Sequence, residues 1–225
     1  FVDLFTGSGA VAHFAAENLG KPVLASDIQD YATVLAGAVI ARENPLNMED
    51  FEEIWLIKAE KYLSRSPHYP GIQMYDSQQK VHDIEKYVQE AKQICQKRVR
   101  IGPIWSAYGG YYYSPLQALS IDYLLKYIPN DKDLHSVALA ALITAASRCA
   151  AAPGHTAQPF KPTESGGKFI LEAWKKNIFN SVRNALREMV SRHAKIRGET
   201  RTDDALKIAA SLNSTDLVFV DPPYS

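Results

Sequence analysis

The chain opens on an apolar run, Phe1-Val2-Asp3-Leu4-Phe5, that leads directly into a glycine turn, Thr6-Gly7-Ser8-Gly9. That order predicts a buried parallel strand feeding a tight loop. Val11, Phe14, Ala15 and Leu19 then recur at helical spacing, with Gly20 in the position of a C-terminal cap and Pro22 barring continuation. Pro22-Val23-Leu24-Ala25-Ser26-Asp27 reads as a second strand closing on an acid. Tyr31 to Ala41 is apolar almost all round and predicts a buried helix, with Pro45 ending it. Strand, glycine turn, helix, strand and helix in this order open a Rossmann-like parallel sheet.

From Asn47 to about Arg197 the pattern changes to a series of helices with little strand character. Asn47 suits a helix N-cap, with Glu49, Asp50, Glu52 and Glu53 in the first turns and Lys58, Lys61 and Arg65 towards the end, which complements the helix dipole. Val81, Ile84, Val88, Ala91 and Cys95 alternate by three and four, the seam of a helix packed on another helix. A loop rich in glycine and tyrosine, Tyr108–Tyr113, precedes helices expected over 116–127 and 134–150. A second loop runs from Ala151 to about Lys168, and one helix, or two in series, is expected over 169–194.

The last residues, Leu217-Val218-Phe219-Val220-Asp221-Pro222-Pro223-Tyr224-Ser225, predict a second buried strand that stops on a double proline. An α/β sheet seldom begins and ends on central strands, so a partial sheet is expected, from a longer protein with further strands after Ser225. The expected fold is therefore α/β: a Rossmann-like core from residues 1–45 and 198–225, interrupted by a large, mostly helical insertion over 46–197.

Composition adds exclusions. The 25 basic and 25 acidic side chains cancel, which excludes a chain coated in positive charge but leaves room for a local basic face. No apolar run is long enough to span a membrane. Cys95 and Cys149, far apart and in helical contexts, suit neither a disulfide framework nor a zinc site, and the histidines show no metal spacing, so no metal is expected. The composition is that of a soluble cytoplasmic enzyme or binding domain.

Three features carry chemistry. Glycines at 7 and 9, after a strand and before a helix, let the backbone turn sharply and let a ligand approach without a Cβ clash. Asp27, at the end of the second strand, stands where a carboxylate binds a ribose hydroxyl pair, and together they point to an adenosine-containing cofactor. No glycine-lysine-serine/threonine phosphate loop is present, which disfavours ATP or GTP. Asp221-Pro222-Pro223-Tyr224 is a rigid turn offering a carboxylate, carbonyls and a flat ring, a set that suits a planar base bearing an exocyclic amine.

Asp3-Leu4-Phe5-Thr6-Gly7-Ser8-Gly9 and Asp221-Pro222-Pro223-Tyr224, in that order, resemble the cofactor and catalytic motifs of amino-directed DNA methyltransferases that use S-adenosylmethionine. The long intervening segment resembles the target-recognition insertion of the Dam-like, alpha-group adenine-N6 enzymes. Arg148, followed by Gly154-His155-Thr156-Ala157-Gln158-Pro159-Phe160, resembles that family's DNA-facing loop. Gln158 stands where asparagine is common, and no valine precedes the proline.

The resemblance implies that Phe5, Thr6, Gly7 and Gly9 surround the methionine part of S-adenosylmethionine while Asp3 braces the loop. Asp27 would bind the ribose, Ile28 would cover the adenine, and Asp204, with Asp203 as the alternative, would accept from the adenine amine. Asp221 and the Pro222 carbonyl would hold the N6 protons of a flipped-out target adenine, and Tyr224 would stack on it. Transfer would be a direct displacement without an enzyme nucleophile or a metal.

Arg183 and Arg187, four apart in a basic stretch, are candidates for phosphate contact, His155 is a candidate for a DNA or backbone contact, and the resemblance implies that Gln158 faces DNA. DNA is the expected partner, and a restriction endonuclease would be a further one in a restriction-modification setting. Cytosine C5 methylation is excluded because no proline-cysteine pair exists. RNA adenine methylation, DNA cytosine-N4 methylation and a catalytically inactive DNA-binding fragment stay open.

Overall fold

The computed structural model describes residues 1–77, 83–96, 101–154 and 158–222, which divide into two compact units. The first comprises Phe1–Phe51, Pro129–Ile143 and Ala185–Ser225, and the second Glu52–Ile128 and Thr144–Asn184.

The first unit is built on a four-stranded, wholly parallel sheet of β1 (Val2–Asp3), β2 (Leu24–Asp27), β3 (Glu199–Thr202) and β4 (Val218–Phe219), in the order β3-β2-β1-β4. Val2 lies opposite both Leu24 and Val218, so the first strand is central and the last strand is its direct neighbour. The chain leaves β1 towards one edge and returns on the other side. The strand order therefore reverses between β1 and β4, where open α/β sheets hold their ligands, at the carboxyl ends of the strands.

Helices α1 (Ala10–Asn18) and α2 (Asp30–Ile40) pack through small side chains. Ala12, Ala15, Ala16 and Ala36 join Val23, Ala25, Ile40 and Ala194 in one buried cluster. Val2, Leu4 and Ile208 form another, with Phe5, Leu24, Ala205 and Leu212 at its margin. Arg42, almost fully buried, donates to the carbonyls of Ala38, Asn44, Met189 and Val190 and so satisfies helix-end acceptors that would otherwise lack donors.

Glu199–Thr202 forms β3 although its sequence is polar, because it is an edge strand whose ladder to β2 is made by backbone groups alone. One expectation needs correction. The terminal strand is not buried: Leu217, Val218, Phe219 and Val220 are all exposed, since β4 is the other edge of the sheet.

In the second unit the described elements are helical. They include α4 (Ile57–Ser64), α5 (Tyr69–Ser77), α6 (Ile84–Gln96), α7 (Pro103–Tyr108), α8 (Pro115–Lys126) and α10 (Glu164–Trp174). A five-residue π-helical turn over Glu52–Leu56 precedes α4 and follows α3 (Met48–Phe51), which Asn47 caps through the Glu49 amide. Helix α9 (Lys132–Cys149) and helix α11 (Ile178–Met189) each run from one set of residues into the other.

The seam expected on α6 is present in Val88, Ala91 and Cys95, all buried, with Ile84 at its edge; Val81 lies outside the described residues. Ser114 and Gln117 form a reciprocal capping box at the start of α8. The same Gln117 amide donates to Ala173 and Lys176 carbonyls and ties α8 to the end of α10. Asp122, buried on α8, accepts from the Ile104 and Trp105 amides and caps α7.

Asp76 is less comfortable. Its Oδ1 is buried without a hydrogen-bond partner among the described residues. Burial pushes its carboxyl up to about 6, and only the Ser114 hydroxyl pulls the other way. A carboxyl raised in the folded state favours folding while protonated, so its ionisation weakens the fold as pH rises from about 4 to about 6 and the loss is complete above that. Asp76→Asn is therefore expected to raise the melting temperature at pH 7.5 and to leave it nearly unchanged at pH 4. Thermal melts that shift equally at both pH values would contradict this assignment.

Candidate functional site

The turn after β1 is held by its own backbone and by the neighbouring strand. The Asp3 side chain accepts from the Phe5 amide, the Thr6 hydroxyl donates to the Asp3 carbonyl, and the Gly9 amide closes on the Thr6 carbonyl at 2.8 Å. The Thr6 amide reaches the Ser26 carbonyl at 3.0 Å, and the Gly7 amide donates to Asp27 Oδ2 at 2.9 Å. Gly9 sits at φ +82°, and a Cβ there would lie 3.3 Å from the Ala36 Cα, so only glycine fits the start of α1 without strain.

Asp27 is the hinge of the site. Its second oxygen accepts from the Gln29 amide at 3.0 Å, and its carbonyl accepts from the Asp203 amide at 3.1 Å. Each carboxylate oxygen keeps lone-pair capacity beyond one amide, so the group can still take hydroxyl donors from a ligand.

These turns border one cavity of about 490 Å³ at the carboxyl ends of the strands, lined by Leu4, Phe5, Gly7, Asp27, Ile28, Gln29, Tyr31, Asp203, Asp204, Ala205, Leu206 and Asp221. Its size is that of a small-molecule site. Phe5, Ile28, Ala205 and Leu206 supply apolar wall, and four carboxylates supply acceptors. No lysine or arginine appears in the described lining.

Asp3 lies beneath the cavity, 1% exposed. Its carboxyl is pushed above the usual range, first by burial, and the charges of Asp27 and Asp221 push it the same way against the Phe5 and Ala12 amides. The three acids thus share one local field, which favours a ligand carrying positive charge over one carrying phosphate.

Of the residues singled out from sequence, Phe5, Gly7, Asp27, Ile28, Asp204 and Asp221 line this cavity together, with Asp203 beside them. Thr6 and Gly9 shape the turn and are buried. Asp204 caps α12 (Ala205–Ala209) through the Leu206 amide at 2.8 Å. Asp203 Oδ1 is taken by the Asp204 amide and by Lys207 at 3.0 Å, and the first of these chiefly lowers its pKa. Pro222 is described, whereas Pro223 and Tyr224 lie outside the described residues. Gln29, Tyr31 and Leu206 escaped the sequence reading. The first two follow a strand-end acid, a position that should have drawn notice.

Residues 1–101 match the family model of the D12 class N6 adenine-specific DNA methyltransferase. The D12 match takes in β1, the glycine turn, Asp27 and the helices through α6; β4 and Asp221 lie beyond it. No curated protein and no solved structure matches the chain.

The candidates for gripping DNA fare differently. Arg183 places Nε and Nη2 on the two oxygens of Glu52 at 2.7 and 3.0 Å, and Nη1 on Glu60 at 3.0 Å. These bonds hold its guanidinium above the usual arginine range, so its charge is already balanced by two carboxylates rather than offered to a phosphate. Arg192 is likewise paired with Glu17, and Arg201 with Glu199. Arg187 lies one turn beyond Arg183 on α11. Gln158 is exposed, and His155 lies outside the described residues.

Tyr108 and Tyr111 are exposed and Tyr112 and Tyr113 half-buried, and the loop is held within its own unit. Gly110 bonds to the Tyr113 carbonyl, the Tyr113 hydroxyl donates to the Ala146 carbonyl at 3.1 Å, and Gln96 donates to the Tyr111 hydroxyl at 3.2 Å. Both cysteines are free and buried, and no group among the described residues is arranged to hold a metal.

Because Asp27 satisfies the Gly7 and Gln29 amides together, Asp27→Ala is expected to cost about 1–3 kcal/mol of stability. Urea unfolding measures it, and an unchanged midpoint and slope would show that water replaces the carboxylate freely.

Proposed function

We propose that this protein transfers a methyl group from S-adenosylmethionine to the N6 amine of adenine in DNA, as a Dam-like enzyme with residues 46–197 serving target recognition. One observation carries the reading: the turn after β1, the acid ending β2 and Asp221 after β4 border a single cavity whose described lining holds four carboxylates and no cation. The D12 match over residues 1–101 supports the same chemistry.

The residues fit the cofactor. Asp27 would accept ribose hydroxyls, Ile28 and Leu206 would cover a flat purine, and Asp204, with Asp203 next to it, would accept from its amine; all of them line the cavity. The acid-rich surroundings favour a sulfonium and an ammonium group over the phosphates of a dinucleotide. S-adenosylmethionine, when bound, supplies a methyl group already activated by its positive sulfur.

The protein then has to position the acceptor. Asp221 and the Pro222 carbonyl accept the two N6 protons of an adenine turned out of the duplex, which draws the nitrogen lone pair out of conjugation with the ring. Pro222 fixes its own φ beside both acceptors, so little reorganisation is needed as charge develops. Turning the base out costs roughly a few kcal/mol, and stacking on Tyr224 would return about 1–3 kcal/mol of it.

The reading predicts that Asp221→Ala lowers methyl transfer to a duplex by on the order of 10²–10³-fold while leaving S-adenosylhomocysteine affinity within about twofold. Tritiated-methyl transfer and isothermal titration measure the two. Full activity in the variant would remove Asp221 from the mechanism, and no binding heat in the wild type at millimolar ligand would discard the cofactor.

A further inference from the structure

Arg183, Arg192 and Arg201 of the basic stretch are ion-paired, and a separate group of cations lies on α4 and α8. On α4, Lys58, Tyr62 and Arg65, the last just past the helix end, fall at i, i+4 and i+7 and so share one side, while Ile57, Glu60, Lys61 and Ser64 line a separate cavity. The end of α8 adds Tyr123, Lys126 and Tyr127 to that side. Tyr62 and Tyr127 stack with ring centroids 4.8 Å apart, and Tyr123 tilts against Tyr127 at 6.2 Å.

The cations lie on this ladder of rings. Lys58 Nζ is 5.5 Å from the centre of Tyr127, and Lys126 Nζ is 5.6 Å from Tyr127 and 5.8 Å from Tyr123. Ring faces attract an ammonium without cancelling its charge, so both lysines are held in place and remain available. Among the described residues no carboxylate pairs with Lys58, Arg65 or Lys126. The acids of the same helices point away, Glu60 to Arg183 and Asp122 to the amides that start α7. In a chain with no net charge this is a local positive field on a rigid aromatic base.

We infer that this face binds the DNA backbone, with phosphates taken by Lys58, Arg65 and Lys126 and the exposed Tyr62 phenol adding a hydrogen bond. The inference rests on the reading of DNA as the substrate and moves the phosphate grip from Arg183 to this face. Phosphate contacts of this kind position a duplex without reading its sequence.

The test uses the full chain and a fluorescent 30-base-pair duplex, with anisotropy followed from 50 to 300 mM salt. Replacing Lys58, Arg65 and Lys126 together by alanine is expected to weaken binding at least about tenfold at 100 mM salt. It should also reduce the slope of log affinity against log salt by about 2 to 3, since each lost phosphate contact removes roughly 0.9. A variant with Lys58→Arg and Lys126→Arg should bind like the wild type, as should one with Lys21, Lys86 and Lys132 changed to alanine. An unchanged affinity and slope in the first variant, or an equal loss in the last, overturns the inference. Displacement of the duplex by poly-glutamate at equal charge also overturns it, in favour of an acidic protein surface. Methyl transfer by the wild type on the same duplex is read in parallel. Activity that persists with an unaltered KM in the first variant sinks this face and leaves the proposed function standing, whereas a wild type that binds no duplex sinks both.

Discussion

The amides of Val2 and Leu4 donate to the carbonyls of Leu217 and Phe219 at 2.8 and 3.2 Å, and the candidate site exists because of those bonds. They set the first strand beside the last. Without them the glycine turn after β1 and the Asp221-Pro222 segment after β4 would be unrelated. With them, both lie at the same end of the sheet, where the strand order reverses. A parallel sheet pairs through backbone groups, so residues far apart in a chain can be set side by side, with register fixed by the faces that Val2 and Leu4 bury.

A second constraint refines the first. The Gly7 amide on Asp27 and the Thr6 amide on Ser26 dock the turn against β2, so the side chain best placed for a ribose also braces the loop beside it. Asp27 thus braces the turn and lines the cavity at once. The cluster with Asp3 and Asp221 concentrates negative charge beside the cavity, and the Asp3 carboxyl is raised chiefly by its burial, with the charges of Asp27 and Asp221 adding to it.

Much of this is legible in the chain because glycine and proline mark backbone geometry directly. Gly7, Gly9 and the proline after Asp221 announce turns, and the apolar runs before them announce strands, so the sheet's centre and the site's rim are readable. The polar strand Glu199–Thr202 is not, since an edge strand exposes its side chains and leaves no apolar alternation. Nor does an apolar run reveal whether its strand is covered, as the exposed Leu217 to Val220 demonstrate. Charge runs mislead for a related reason. Arg183 looks free on its own helix, and its partners Glu52 and Glu60 belong to a segment far away in sequence that no periodicity connects to it.

A crystal structure of the protein grown with S-adenosylhomocysteine addresses the shared-pocket account head on. The account requires electron density for the ligand with its ribose hydroxyls on Asp27, its purine between Ile28 and Leu206, and its sulfur turned towards Asp221. Density for the ligand anywhere else, or a ribose that does not touch Asp27, would contradict it.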